Sequence, residues 1–156
     1  MTQGFRLNNA KTGAVFQNLA YPKGAYILHM LRMMMFDRKT GDARFQAMMK
    51  DFIRTHFNQG ISTEDLKRTV EKHMTPEMDV DKNGTVNWFF DQWVYGTGVP
   101  AYKFEYQIAA DGALSGKITQ SGVSKNFVMV VPVYLDFGKG WSRLGTVTMV
   151  AISLTH

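Results

Sequence analysis

Cysteine is absent, which excludes disulfides and thiolate metal sites and leaves the compartment open, since exported and cytoplasmic proteins alike can lack the residue. The first residues, "MTQGFRLNNAKTG", carry no basic stretch followed by an apolar run, and no segment reaches about 18 uninterrupted apolar residues. Nothing in the sequence targets or spans a membrane, and no localisation is assigned. Charge clusters are missing too. The 18 Lys and Arg outweigh 13 Asp and Glu, for a net +5, but they are scattered rather than gathered into runs, which argues against a nucleic-acid partner. Histidine is scarce: His29, His56, His73 and His156 are the whole set. No two stand four residues apart, the separation that would put two imidazoles on one helical face.

What is present suffices for folding. With 156 residues, 45% of them hydrophobic, the chain can form one ordinary domain or two small ones. Methionine is abundant, with 11 copies, five of them at positions 30, 33, 34, 35 and 48. Methionine fills irregular gaps between helices, so the cluster is read as a buried helix interface rather than a peptide groove.

"MDVDKNGTVNWFF", residues 78–90, imitates a calcium loop, with Asp79, Asp81 and Asn83 on alternate positions and Gly84 sixth. A calcium loop also requires a bidentate glutamate at position 12. That position falls on Phe90, Asp91 comes one residue late, and no second such loop exists for pairing. The stretch is therefore read as a solvated turn built from residues that tolerate left-handed backbone.

"YPKGAYILHMLRMMMF", residues 21–36, sets Pro22 where a first helical residue would sit and is apolar on nearly every face, which predicts a buried helix. Asp42 is placed to cap a second helix, in which Phe45, Met48, Met49, Phe52 and Ile53 follow helical spacing and Gly60 lies past the end. Ser62 and Asp65 form a capping box for a third, reaching about Met74, with Ile61 and Leu66 at the staple positions. Asn87 is placed to cap "WFFDQWVY", which stops at Gly96. Beyond "GTGVP", residues 96–100, the period changes to two: Tyr102, Phe104, Tyr106 and Ile108 alternate with polar residues, predicting a strand with one wet face. Further strands are expected at about 113–120, 127–137 and 143–154, with turns at "ADG" and "GKG". The fold class is α+β: a helical part over 1–98, then a small antiparallel, sandwich-like β domain over 99–156. Both parts read as truncated, because the last strand reaches almost to the end and few helices follow to cover the first.

Two stretches carry a resemblance: "YPKGAYILHMLR" at 21–32 and, about seventy residues on, "WFFDQWVYGTGVPAYKFEY" at 88–106. Together they resemble the zinc aminopeptidases of the aminopeptidase N type, over roughly residues 5–154. In that family a Y-x-K-G segment opens a helix of a thermolysin-like catalytic domain, and an F-x-x-W helix ending in G-x-P leads into a β-sandwich. The resemblance implies a peptidase acting on N-terminal residues of peptides, with one zinc held by H-E-x-x-H and a further glutamate. This chain has no H-E-x-x-H, so it reads as a fragment of such an enzyme, inactive alone, with zinc belonging to the parent protein and no metal ligand among its own residues. The alternative is a noncatalytic β-sandwich interaction module with a helical extension.

One catalytic residue carries over by the resemblance, Tyr21, whose counterpart hydrogen-bonds the oxyanion of the tetrahedral intermediate. Pro22 adds a physical expectation: a residue before proline is pushed out of the α region, which would put Tyr21 at the mouth of a helix, near its positive end. Lys23 is expected to be a solvated or paired charge and Gly24 a close-packing site, neither with assigned chemistry. Trp88, Phe89, Phe90 and Trp93 stand at helical spacing and are read as core rather than as a binding platform. Self-association is expected through a helical surface near Tyr26, Met30 and Met34 left uncovered.

Overall fold

The computed structural model describes residues 14–150; the predicted strand end at 151–154 and His156 lie outside them. Four helices come first: α1 (Ala14–Met35), α2 (Ala43–Thr55), α3 (Thr63–His73) and α4 (Asn87–Phe90), the last continuing as a π-helix over Asp91–Tyr95. Four strands follow: β1 (Ala101–Ile108), β2 (Leu114–Ser121), β3 (Val128–Asp136) and β4 (Trp141–Val150). The fold is α+β, a helical part followed by a small antiparallel β part. The chain divides into two compact units between Gly96 and Thr97.

In the helical unit α1 starts earlier than expected, at Ala14, and Pro22 lies inside it. The segment before the proline, "AVFQNLA", is rich in good helix formers, and the helix continues through position 22 without that residue's N–H. Burial follows one stripe, Ile27, Leu31 and Met35, each 3% exposed or less. The rest of α1 is less buried than its composition suggests: Met30, Met33 and Met34 are half-buried, and Tyr26 is exposed. Met48 of α2 is fully buried, whereas Ile53, on the same predicted stripe, is exposed.

The expected caps divide. Ser62 and Asp65 form the capping box: Asp65 N donates to Ser62 Oγ at 3.3 Å and Ser62 N donates to Asp65 Oδ2 at 2.8 Å. Asp42 precedes α2 but makes no capping bond, because its carboxylate takes Arg32 Nη2 at 2.5 Å. Nor does Asn87 cap α4. The N–H groups of Phe89 and Phe90 both donate to the Val86 carbonyl, at 3.1 and 3.2 Å, so the helix begins one residue sooner. The left-handed turn after α2 falls on Asn58 (φ 55°) rather than Gly60.

The aspartate loop is closed on itself. Asp79 Oδ1 accepts from the N–H groups of Asn83 (2.9 Å) and Gly84 (3.1 Å), and Asn83 Oδ1 accepts from Thr85 N (3.0 Å) and Thr85 Oγ1 (2.7 Å). Lys82 and Gly84 are left-handed, at φ 52° and 74°. The side-chain oxygens of Asp79 and Asn83 are thus occupied by amide and hydroxyl donors, as in an Asx-turn. The loop delivers Val86 N to Glu71 Oε1 (3.2 Å) and is followed by the aromatic core. Trp88, Phe89 and Phe90 are buried, with edge-on ring pairs at 5.6 and 5.9 Å, and Trp88 Nε1 donates to Met78 O at 2.9 Å. These rings are core, as expected, and Trp93 is half-buried beside them.

The β unit is two separate antiparallel hairpins, β1–β2 and β3–β4. Asp111 Oδ1 accepts from Ala113 N (2.9 Å) in the first turn, and Asp136 Oδ1 accepts from Gly138 N (2.8 Å) and Gly140 N (3.0 Å) in the second. Glycines at 112, 138 and 140 take the positive φ angles these turns need. The β3–β4 register shifts between Val133 and Tyr134. Strand positions agree with the period of two, but the predicted dry face of β1 is not covered: all eight of its residues are exposed. Among the described residues no helix is long and apolar enough to cross a membrane.

Candidate active site

The residues singled out in sequence lie on α1, in its third turn. Tyr21 is 75% exposed. It does not sit at a helix mouth: helical backbone extends seven residues before it, so the positive helix end is two turns away and adds no field at this position. The pre-proline restriction is a preference, and here helix continuity outweighs it.

Lys23, two residues on, faces the opposite way and is only 9% exposed. It extends the Ile27–Leu31–Met35 stripe one step toward the N-terminus at the same spacing of four, so its methylene stem packs as an apolar residue would. Its Nζ donates to the Gly96 carbonyl at 3.1 Å, across 73 residues of sequence. Burial lowers the ammonium's pKa below that of an ordinary lysine. The expectation of a solvated charge is thus corrected: the ammonium is withdrawn from water and donates to a backbone oxygen. Gly24 is not a close-packing site, because a Cβ built there would meet nothing within 4 Å.

Gly96 receives that bond at the end of the π-helix. It is extended rather than left-handed (φ −78°, ψ 165°), so the reason for glycine is space: a Cβ would stand 2.5 Å from Gln92 O and 2.7 Å from Asp91 O. The widened turn leaves those carbonyls pointing at the exit of the helix. The structure therefore brings together Lys23 of the Y-x-K-G segment and Gly96, two residues ahead of the G-x-P sequence at 98–100. Sequence reasoning missed this link, though a signal existed: a lysine in phase with a buried stripe needs an acceptor.

Two of the histidines, His56 and His73, are held by neighbouring groups. His56 Nδ1 lies 3.0 Å from Phe52 O, and His73 Nε2 lies 2.8 Å from Asp51 Oδ2. Among the described residues no three metal-ligating side chains converge. These side chains do not fit a zinc site, and no chemical step through a metal is derived from them.

Comparison with known proteins gives one finding. The model of the peptidase family M1 domain matches residues 5–93, a span that holds both the Y-x-K-G segment and the F-x-x-W helix. The chain belongs to peptidase family M1, whose members are generally zinc-dependent. The match ends before the β unit. No curated protein and no solved structure matches the chain.

Proposed function

We propose that this chain is part of a zinc-dependent aminopeptidase that removes N-terminal residues from peptides, and that Tyr21 is its contribution to catalysis. The reading rests on one observation: within a family M1 match, the tyrosine of Y-x-K-G stands 75% exposed on a helix whose opposite side is buried. A phenol so presented can donate a hydrogen bond to a carbonyl oxygen as charge develops on it, an interaction stronger in the transition state than in the bound substrate. The family's zinc would supply Lewis-acid chemistry from ligands other than the described residues, and the chain alone would not hydrolyse amino-acid anilides above background. By the same reading, 1–98 is the end of a thermolysin-like domain and 99–156 belongs to a β-sandwich.

The test uses the full-length protein that carries these residues. Its reading frame should encode H-E-x-x-H ahead of residue 1, and the purified protein should hold one zinc and release N-terminal residues. Tyr21→Phe should lower kcat by about 100- to 1000-fold with little change in KM or zinc content. Turnover within about threefold of the unaltered enzyme, with full zinc and normal folding, would remove Tyr21 from catalysis. One observation favours the alternative, a noncatalytic interaction module: Phe104, Tyr106 and Ile108 are each at least 57% exposed on one strand. A genuine start at residue 1 with no upstream peptidase frame would decide for it.

A further inference from the structure

We propose that Lys23 is a positioning residue: by donating from Nζ to the Gly96 carbonyl, it fixes the rotation of α1 about its own axis and so the direction in which Tyr21 is presented. The inference rests on the proposed catalytic role of Tyr21 and adds a residue to which no chemistry has been assigned.

Three observations carry it. Residues 21 and 23 are about 200° apart around a helix, so turning Lys23 inward turns Tyr21 outward; the exposures, 9% and 75%, agree. The apolar stripe below Lys23 resists rotation only weakly by itself, since half-buried Met30 and Met34 stand beside it and could replace Ile27, Leu31 and Met35 at modest cost. An ammonium buried without an acceptor is far more expensive than a repacked methionine. The Lys23 bond to Gly96, 3.1 Å long, therefore selects one rotation among several that apolar packing alone would tolerate. The acceptor lies at the exit of the π-helix, where the carbonyls of Asp91 and Gln92 come so close that only glycine fits. Pro22 adds a reason for such a brace. It supplies no N–H to the turn before it, so the helix is weakest beside Tyr21.

The test is made on the metal-free chain, with 3-fluorotyrosine at position 21 as a fluorine NMR probe. Lys23→Met keeps the apolar stem and removes the donor. It should leave helix content intact, yet move or split the Tyr21 resonance by more than its linewidth and speed amide exchange over residues 24–27 on the order of tenfold. Lys23→Arg, which can still donate to Gly96, should return the resonance to a single line. A folded Lys23→Met chain with an unmoved resonance and unchanged exchange would overturn the inference. Should Lys23→Met fail to fold, exchange in the unaltered chain decides: residues 24–27 and 94–96 should open in one step, and separate opening would overturn it. A wrong assignment of catalysis to Tyr21 appears elsewhere, in the turnover of Tyr21→Phe, and leaves these spectra untouched.

Discussion

The two units of the chain use apolar residues in opposite ways. In the helical unit Leu31, Met35, Met48, Val70, Met78, Val86, Phe89 and Phe90 are all 2% exposed or less. In the β unit the buried hydrophobic residues, among those described, are Phe127 and Val128, while Tyr102, Phe104, Tyr106, Ile108 and Trp141 stand open. Both units are well patterned. The difference lies in layers. Helices α2 and α3 pack on each other and α1 packs on α2, so the buried stripes of this unit have opposing surfaces. A two-stranded hairpin has none of its own, and its alternating side chains form a face without a floor. Alternation fixes which side a residue takes; burial requires something to lie against that side.

That contrast can be broken by substitution, and the largest effect should come at Phe89. Its ring is 2% exposed and pairs edge-on with both neighbours, so Phe89→Ala should cost about 3 to 5 kcal/mol. Thermal melting followed by helical circular dichroism would measure it, and a loss below about 1 kcal/mol would mean that the aromatic segment is not the core. Next comes Gly96→Ala, where the new Cβ meets two carbonyl oxygens at 2.5 and 2.7 Å. Overpacking of this kind should cost about 1 to 3 kcal/mol, whereas Gly145→Ala in β4, with nothing within 4 Å, should stay within about 0.5 kcal/mol.

Acid should act on the helical unit third. The Asp51 carboxylate is hydrogen-bonded by Lys72 and His73, and that of Asp65 by the Ser62 side chain and backbone; each is held down to about 2 from an ordinary 3.8. A folded-state pKa below the unfolded one stabilises above the unfolded value and is lost as pH falls through the folded one. The melting temperature should therefore drop between about pH 4 and pH 2, and Asp51→Asn together with Asp65→Asn should flatten that fall. An unchanged slope in the double variant would mean that other groups govern acid unfolding. The smallest effect belongs to the hairpin: Phe104 is 57% exposed and stacks on Tyr106 at 5.7 Å, so Phe104→Ala should cost no more than about 0.5 to 1 kcal/mol. A cost equal to that of Phe89→Ala would show that the hairpin face is covered after all.

Much of this was legible in the sequence because the signals are local. The Ser62–Asp65 capping box, the helical spacing of α2, the glycine turns at 112 and 138, and the switch of period after Gly96 depend on neighbours within about five residues, and each appears where the sequence put it. The misreadings share another cause, competition at longer range. Asp42 stands at the cap position of α2 but binds Arg32 instead, ten residues back. Pro22 looked like a helix start until the preceding segment proved helical too. Lys23 looked like a surface charge because its acceptor lies 73 residues away. For the candidate site the residue type was readable at Tyr21, but its setting was not, since a helix face is assigned by what packs behind it.

The π-helix at Asp91–Tyr95 holds one residue more per turn than the chain needs to go forward. In effect it is an insertion absorbed within the helix. Deleting a single residue there would restore ordinary α geometry with little rotation or shift at the exit of the helix, because one turn of either kind carries the chain once around its axis. Gly96 would keep its place at that exit, with its carbonyl in reach of Lys23 Nζ. The wide turn thus stores a residue without moving the exit, and this segment should tolerate the loss of one residue better than the regular helix α1 would.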